Sequence, residues 1–359
     1  MKLKRRHWSE RNHPALRRLL ESVRPGEIAV FDWDNTCAFN DVGEALLRRM
    51  AFGLEFRMDA VAMADSIPDR IHGIGRLNLG GRSHSLKRMK QAVFSALDRL
   101  QQRPLANHNR DLDKDFRVFT SGLLALNRAL EETPGIGCEF AYPWVNTLLR
   151  GWSLPEFDRL AGEVIARALQ EPLRRHSILD PAGRWRYDWT GGIRLYPEMM
   201  DLAACWQQRG GRLVVSTASN RQLVEKMIAM TGFPCREVIG MELAVAGQRF
   251  QGVLKPGWRP NLGAGKVHNL ISRLGREPVF VAGDSSNDHE MLTAFAATRV
   301  RLVIDRHAPG TIRRLVRLAM GGEDGFLAQA IDPRAGEFKA PGRHGWTSGA
   351  LAFLSAAGL

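Results

Sequence analysis

The order of short strands and helices limits the fold of this chain more than any other feature. Between residues 190 and 320, short apolar runs typical of strands are separated by segments in which apolar residues recur at helical spacing. Strands that alternate with helices form a parallel sheet with helices on both faces. The pattern therefore predicts an α/β fold with a doubly wound parallel sheet. The predicted strands are 212–216, 278–282 and 299–304, and the predicted helices are 197–208, 220–230 and one that begins near Lys266.

One further strand, at 27–31, lies far upstream of the others and follows a predicted helix at 14–23. The segment between is mostly helical in pattern, with predicted helices at 85–102, 114–131 and 155–173. We therefore expect a core domain made of residues 1–40 and 190–320, with an inserted helical domain at 41–189. Residues 321–359 are rich in glycine and weakly patterned, and they predict a poorly anchored tail.

Two carboxylates, Asp32 and Asp34, directly follow the first predicted strand. Two ionised acids so close together repel each other unless a cation or a positive side chain compensates. Such a pair fits catalysis, in which one carboxylate attacks as a nucleophile, the other transfers protons, and Mg²⁺ stabilises the charge. The alternative is that these acids cap the helix that follows.

Polar groups also follow two of the later strands. Hydroxyl side chains and backbone N–H groups follow the strand at 212–216, and the acids Asp284 and Asp288 follow the strand at 278–282. Ligands bind at the carboxyl ends of the strands in open α/β sheets. Together with Lys266, these groups offer oxygen ligands for a metal and donors for phosphoryl oxygens. The sequence therefore predicts a site for Mg²⁺ and phosphate.

These motifs resemble those of the haloacid dehalogenase-like (HAD) phosphatase superfamily, and within it the phosphoserine phosphatase-like branch. The resemblance implies a Rossmann-like core with an inserted, mostly helical cap domain. It rests on four motifs in the family's order: Asp32-x-Asp34-x-Thr36, residues 215–219, Lys266 between Gly265 and Val267, and Gly283-Asp284-x-x-x-Asp288.

The resemblance implies a role for each acid. Asp32 is the expected nucleophile, and Asp34 is the expected acid and base. Mg²⁺ is expected on Asp32, the backbone carbonyl of Asp34 and Asp284, with Asp288 orienting that shell. An acid at position 34 favours phosphate monoesters over halides, because an alkoxide leaves better when it is protonated.

The phosphoryl group is expected at Asn35, Thr217, Ala218 and Lys266. Ser216 is an alternative to Thr217, which is preferred because the run from Thr217 to 223–225 has the family's spacing. Lys255 is an alternative to Lys266, but it lies in a predicted loop rather than at a helix start.

The resemblance also suggests a small phosphorylated amino compound, such as phosphoserine, as the substrate. Asp41 lies where phosphoserine phosphatases place an acid that contacts the substrate's amino group, although it equally fits a helix N-cap. The long cap and its aromatic residues leave phosphorylcholine or another amino-alcohol phosphate as an alternative, because aromatic faces bind quaternary ammonium groups. The tryptophans in question are Trp33, Trp144, Trp152, Trp185 and Trp189.

Composition and charge indicate which binding partners and which cellular location to expect. The chain has 359 residues, of which 44% are hydrophobic, and a formal net charge of +13. The basic residues are dispersed and form no nucleic-acid-binding motif, so a nucleic-acid partner is not favoured, although a non-catalytic protein that binds phosphate or nucleic acid remains the rival class. The sequence has no membrane-spanning or signal segment, and its four cysteines form no metal or redox pair. We therefore expect a cytoplasmic protein with a small phosphorylated metabolite as its partner.

Overall fold

The structure is a computed structural model that describes residues 2–103 and 112–340. The elements of its first half include the first strand of the main sheet and the inserted segment. In chain order they are α1 (Asn12–Glu21), β1 (Ile28–Phe31), β2 (Ala38–Phe39), α2 (Val42–Gly53), α3 (Ala60–Asp65), β3 (Arg76–Leu79), β4 (Arg82–Ser85), α4 (Leu86–Gln101), α5 (Lys114–Glu132), α6 (Gly137–Thr147), α7 (Leu154–Gln170), β5 (Arg175–Leu179) and β6 (Arg186–Thr190).

The second half contains the rest of the main sheet and its helices. They are β7 (Arg194–Leu195), α8 (Pro197–Gln208), β8 (Arg212–Asn220), α9 (Arg221–Thr231), β9 (Glu237–Met241), β10 (Leu243–Ala246), β11 (Arg249–Leu254), α10 (Ala264–Leu274), β12 (Phe280–Gly283), a 3₁₀ turn (Ser286–Asp288), α11 (His289–Thr293), β13 (Val300–Asp305), α12 (Ile312–Gly321), β14 (Phe326–Asp332) and β15 (Glu337–Phe338).

Seven strands form the main sheet in the order β15-β14-β13-β12-β1-β8-β9. All neighbouring pairs are parallel except β14 and β15. Successive residues of β1 alternate between the two faces of the sheet: Ala29 and Phe31 pack in one hydrophobic cluster, and Ile28 and Val30 in another. This two-faced burial confirms the predicted α/β fold with a doubly wound parallel sheet.

The inserted segment between β1 and α8 contains helices α2 to α7 and the hairpins β3–β4 and β5–β6. Most of its apolar side chains form a hydrophobic cluster of their own. The buried face of α7 is different, because Phe157 and Leu160 belong to the cluster on one face of the main sheet. The segment is therefore attached to the sheet through α7 and through α2, whose Leu46 and Met50 belong to the same cluster, and its exact domain limits stay a prediction.

The prediction of a poorly anchored tail from residue 321 is wrong for the strands β14 and β15. β14 pairs in parallel with β13 over five residues, and the side chain of Gln329 within it is fully buried. The pattern was obscured because a buried polar residue interrupts the apolar run and glycines flank it. Residues 341–359 lie outside the described residues.

Two further observations concern the helices and tryptophans. Trp33, Trp144, Trp152 and Trp185 are buried among apolar side chains. None of the helices within 2–103 and 112–340 combines the length and the apolar character needed to cross a membrane.

Candidate active site

The carboxyl ends of four adjacent strands, β13, β12, β1 and β8, carry the polar residues of the site. Asp32 directly follows β1, and its backbone N–H donates to the carbonyl of Ala282 at 2.9 Å, which extends the pairing of β1 with β12. Asp284 directly follows β12. Because parallel strands end at the same edge of a sheet, side chains that are distant in the sequence meet there.

Lys266 joins two of these acids. Its ammonium donates to Asp32 Oδ1 and to Asp288 Oδ1, each at 2.6 Å, and to the carbonyl of Ser216 at 3.0 Å. The side chain is 1% exposed, and α10 brings it to the sheet edge from its first turn. Attraction by the two acids outweighs burial and raises the pKa of Lys266, so the side chain stays charged.

Asp32, Asp284 and Asp288 form an acidic cluster in which one oxygen of each lies within 4.8 Å of the others. Burial and repulsion from Asp288 raise the pKa of Asp32 well above its usual value in spite of Lys266. The hydroxyl of Thr36 lies 2.9 Å from Asp32 Oδ2 and 3.4 Å from Asp284 Oδ1. Three carboxylates exceed the two positive side chains that contact them, Lys266 and Arg306, so the cluster suits an additional cation with a preference for oxygen ligands.

Asp288 and Asp284 differ in the hydrogen bonds that their carboxylate oxygens accept. Both oxygens of Asp288 are occupied, because Oδ2 accepts from the backbone N–H groups of Asp284 and Ser285 and from the Ser285 hydroxyl. Asp284 Oδ2 accepts a hydrogen bond from Arg306 Nε. Burial raises the pKa of Asp284, although Arg306 opposes this effect. Asp288 is thus placed to orient Lys266 and the loop after β12, whereas Asp284 Oδ1 faces Thr36.

Asp34 is held apart from this cluster by two hydrogen bonds. Its Oδ1 accepts from the backbone N–H of Val42 at 2.8 Å, and its Oδ2 accepts from the Ser219 hydroxyl at 2.7 Å. Burial, followed by repulsion from Asp41, raises the pKa of Asp34 well above its usual value. A buried carboxyl with a raised pKa is suited to carry a proton and to release it.

Both interpretations of Asp41 agree with the structure. Its Oδ1 accepts from the backbone N–H of Glu44 at 2.8 Å, which makes it the N-cap of α2, and the residue also lines the cavity described below. Burial and the charge of Glu44 raise the pKa of Asp41 to about 6. Its contact with a substrate stays a prediction.

Of the four residues predicted to bind phosphate, three line the cavity and one does not. Asn35, Ala218 and Lys266 line the cavity. Thr217 is fully buried, and its hydroxyl accepts the backbone N–H of Ser219 at 3.0 Å. Its role stays a prediction. The alternative lysine, Lys255, is bound to Glu242 at 2.9 Å, so Lys266 is the lysine that contacts Asp32.

The family model described as haloacid dehalogenase-like hydrolase matches residues 121–293. The match includes Lys266, Asp284 and Asp288 but begins after Asp32 and Asp34, which the fold brings to the same site. Residues 121–293 of the chain are thus similar to the haloacid dehalogenase-like hydrolases. A comparison with curated proteins finds no match.

Among solved structures, this chain is similar to a conserved protein of unknown function from Anaerococcus prevotii DSM 20548. The two share 24% identity over 95% of this chain and 98% of the other, with a TM-score of 0.83. A protein of unknown function from Bordetella pertussis Tohama I matches at 14% identity over 86% and 99% of the chains, with a TM-score of 0.47. A probable phosphoserine phosphatase from Vibrio cholerae matches at 13% identity over 93% and 65%, with a TM-score of 0.37. The similarity to the Anaerococcus protein shows the fold, and the other two are too distant to add to it.

In this structure the acids open onto a cavity of about 1160 Å³, including the space at its mouth. The inserted segment forms the opposite wall through α2, α5 and α6. The polar residues of that wall include Glu44, Asn127, Arg128, Glu131 and Tyr142.

Sequence reasoning missed this wall and Arg306. Arg306 could have been found, because it follows a predicted strand at the same sheet edge. The residues of α5 follow ordinary helical spacing and carry no motif.

Proposed function

We propose that this protein is a magnesium-dependent phosphomonoester hydrolase that acts through an aspartyl-phosphate on Asp32. Its substrate is a small phosphorylated amino compound. The observation that carries the proposal is the separation of two buried acids in one cavity. Asp32 is bonded to Lys266, while Asp34 is held by Val42 and Ser219.

In the first step, a carboxylate oxygen of Asp32 attacks the phosphorus and the bond from phosphorus to the ester oxygen breaks. The raised pKa of Asp34 keeps its proton available, and that proton passes to the departing oxygen. In the second step, a water attacks the phosphorus of the aspartyl-phosphate, gives its proton to Asp34 and releases phosphate from Asp32. Lys266 offsets negative charge at Asp32 throughout.

The residues present fit Mg²⁺, because the cluster offers hard oxygen donors and an excess of negative charge. Asp32, Asp284 and the backbone carbonyl of Asp34 would hold the ion, and Asp288 would orient Lys266 and the loop. When bound, Mg²⁺ supplies positive charge that stabilises the phosphoryl oxygens.

Acids on the cavity wall support an amino compound as the substrate. Asp41, Glu44 and Glu131 line the cavity that contains Asp34 and Lys266. Phosphoserine is the substrate that the family resemblance suggests first. Phosphorylcholine gains less support, since Trp33, Trp144, Trp152, Trp185 and Trp189 are not among the lining residues.

Hydrolysis of p-nitrophenyl phosphate with Mg²⁺ tests the chemistry. We expect Asp32→Asn to abolish turnover, and we expect acid-quenched unmodified protein to carry phosphate on Asp32 by mass spectrometry. The control is Asp98→Asn, which alters an exposed acid on α4. Equal turnover by Asp32→Asn and the unmodified protein would contradict the mechanism.

A further inference from the structure

The wall of the cavity opposite the catalytic acids contains a buried hydrogen-bond acceptor that has no donor among the described residues. Asn127 and Glu131 lie one turn apart on α5, and Asn127 Nδ2 donates to Glu131 Oε1 at 2.6 Å. This bond uses the amide nitrogen and leaves the carbonyl oxygen, Asn127 Oδ1, without a hydrogen-bond partner. Asn127 lines the cavity although only 7% of it is exposed. A buried acceptor without a donor is costly, so its presence beside a cavity points to a ligand that donates.

The charges around this oxygen are mostly negative. Asp41 and Glu44 line the same cavity, and Glu44 and Asp41 both contribute to raising the pKa of Glu131. Burial is the larger cause, and together these effects raise that pKa to about 8. The three acids Asp41, Glu44 and Glu131 outnumber the two arginines that pair with them, Arg48 and Arg128.

Arg128, the arginine among the described lining residues of this wall, is already engaged by acids, and Glu44 also accepts from Arg48 Nη1 at 3.1 Å. Arg128 Nη2 lies 3.3 Å from Glu44 Oε1, and Arg128 Nη1 lies 3.7 Å from Glu131 Oε2. The other arginine that lines the cavity, Arg306, is bonded to Asp284 on the opposite side. Among the described lining residues, this leaves no arginine unpaired for a carboxylate of the ligand.

The pocket also lacks the features that bind a quaternary ammonium group. Tyr142 is the one aromatic side chain among the described lining residues, and the apolar part of the wall is aliphatic. A quaternary ammonium group has no N–H to donate, so it would leave Asn127 Oδ1 without a partner. A primary ammonium group donates three hydrogen bonds and carries the missing positive charge.

From this geometry we infer that Asn127, Glu131 and Glu44 form a binding site for a primary ammonium group. The substrate class is then a phosphate monoester of a small amino alcohol without a carboxylate. This inference rests on the proposed function, which accounts for binding of the substrate's phosphate group. It goes beyond that function by naming the residues that bind the substrate's amino group.

Binding of phosphonates that cannot be hydrolysed tests the inference separately from catalysis. Calorimetry with 3-aminopropylphosphonate and butylphosphonate compares an ammonium group with a methyl group of similar size. Two further ligands carry a trimethylammonium group or both an amino and a carboxyl group. We expect the primary amine to bind about tenfold or more tightly than each of the other three, which is the value of one charged hydrogen bond.

Two variants on the same helix give a matched comparison. Glu131→Gln removes an acid from the cavity wall, while Glu132→Gln makes the same change at a neighbouring exposed position. We expect Glu131→Gln to reduce the ratio of amine to butyl affinity to about threefold or less, and Glu132→Gln to leave it unchanged. Circular dichroism verifies that both variants are folded.

Each outcome of the binding experiments has a single interpretation. Equal binding of the primary amine and butylphosphonate, or tighter binding of the trimethylammonium or amino-carboxylate ligand, would overturn the inference. An amine preference that persists in Glu131→Gln would also overturn it. Absence of p-nitrophenyl phosphate turnover would instead contradict the proposed function, since the binding comparison does not depend on turnover.

Discussion

At the scale of single residues, the orientation of Asp34 depends on one hydroxyl. The bond from the Val42 backbone is fixed by the start of α2, but the second bond comes from the Ser219 side chain at 2.7 Å. Gly43 leaves room for this contact, because a Cβ there would lie 2.9 Å from Ser219 Oγ. The position of the proton donor is thus set by a side chain outside the first motif.

Removing this hydroxyl should affect esters according to their leaving groups. We expect Ser219→Ala to lower kcat for alkyl phosphates by about tenfold, which corresponds to about 1.4 kcal/mol. The turnover of p-nitrophenyl phosphate should change much less, because nitrophenolate leaves without a proton. Steady-state kinetics on both esters measure the difference, and Ser272→Ala on α10 is the control. An equal loss on both esters would mean that Ser219 does not act through Asp34.

Site residues could be predicted from the sequence where they belong to a motif at a predicted strand end or helix start. Asp32, Asp34, Lys266 and Asp284 each lie beside a strand end or helix start, so their convergence could be inferred. Glu131 could not be inferred in the same way, because its side chain reaches the cavity through the packing of α5 in the inserted segment, which the sequence does not specify directly.

At the scale of elements, α5 combines a structural face with the polar wall of the cavity. Its apolar side chains, including Phe119 and Leu123, are fully buried in the cluster of the inserted segment. Its last turns present Asn127, Arg128 and Glu131 to the cavity. The helix therefore holds the Glu131 side chain in a position where burial disfavours its charged form.

This arrangement predicts a pH-dependent stability. The pKa of Glu131 is about 8 in the folded protein against its usual 4.5, so between these values the folded state binds more protons than the unfolded state. The contribution of Glu131 to the free energy of unfolding therefore falls as pH rises from 5 to 8, by at most about 1.4 kcal/mol per pH unit. Urea unfolding at four pH values should show a smaller decrease in Glu131→Gln than in the unmodified protein. Parallel curves for the two proteins would contradict this assignment, and Glu132→Gln is expected to follow the unmodified protein.

Helices whose apolar residues recur at a regular spacing could be predicted from the sequence. Strands that are stabilised mainly by contacts with distant parts of the chain could not. α4, α5, α7 and α8 begin and end within three residues of the prediction. The hairpin β3–β4 was not predicted, because three of its four cross-strand pairs include arginine or serine and its stability comes from packing against α5. β14 was missed because Gln329 is buried by bonds to distant residues rather than by its own apolarity.

At the scale of the whole molecule, the acidic cluster links strands that are distant in sequence. A cation that binds the folded cluster and not the unfolded chain must stabilise the fold. We expect Mg²⁺ at one hundred times its dissociation constant to add about 2.7 kcal/mol to the free energy of unfolding. Thermal unfolding with Mg²⁺ and with EDTA measures this, and EDTA should also abolish turnover. The Mg²⁺-dependent shift should shrink in Asp284→Asn but not in Asp98→Asn, and an equal shift in both would place the ion elsewhere.

The two ends of the described chain are joined at the edge of the main sheet. Gln329 Oε1 accepts from the Ser9 backbone at 3.0 Å and from Asn12 Nδ2 at 3.0 Å, and its Nε2 donates to the His7 carbonyl at 3.3 Å. Both Gln329 and Asn12 are buried, and Asn12 Nδ2 also donates to the carbonyl of Ala328 at 2.9 Å.

A double-mutant cycle tests this junction. Gln329→Met keeps the volume and removes the amide, and it should reduce the free energy of unfolding by about 1–3 kcal/mol, because Asn12 and the Ser9 N–H lose an acceptor. Asn12→Leu should cost a similar amount. The double variant should cost less than the sum, because two apolar groups then face each other and neither buried amide is left facing an apolar side chain. Strictly additive losses in urea unfolding would show that the two side chains do not interact, and the N-terminal segment would then be held by its other contacts, such as the bond from the His7 backbone to Glu198.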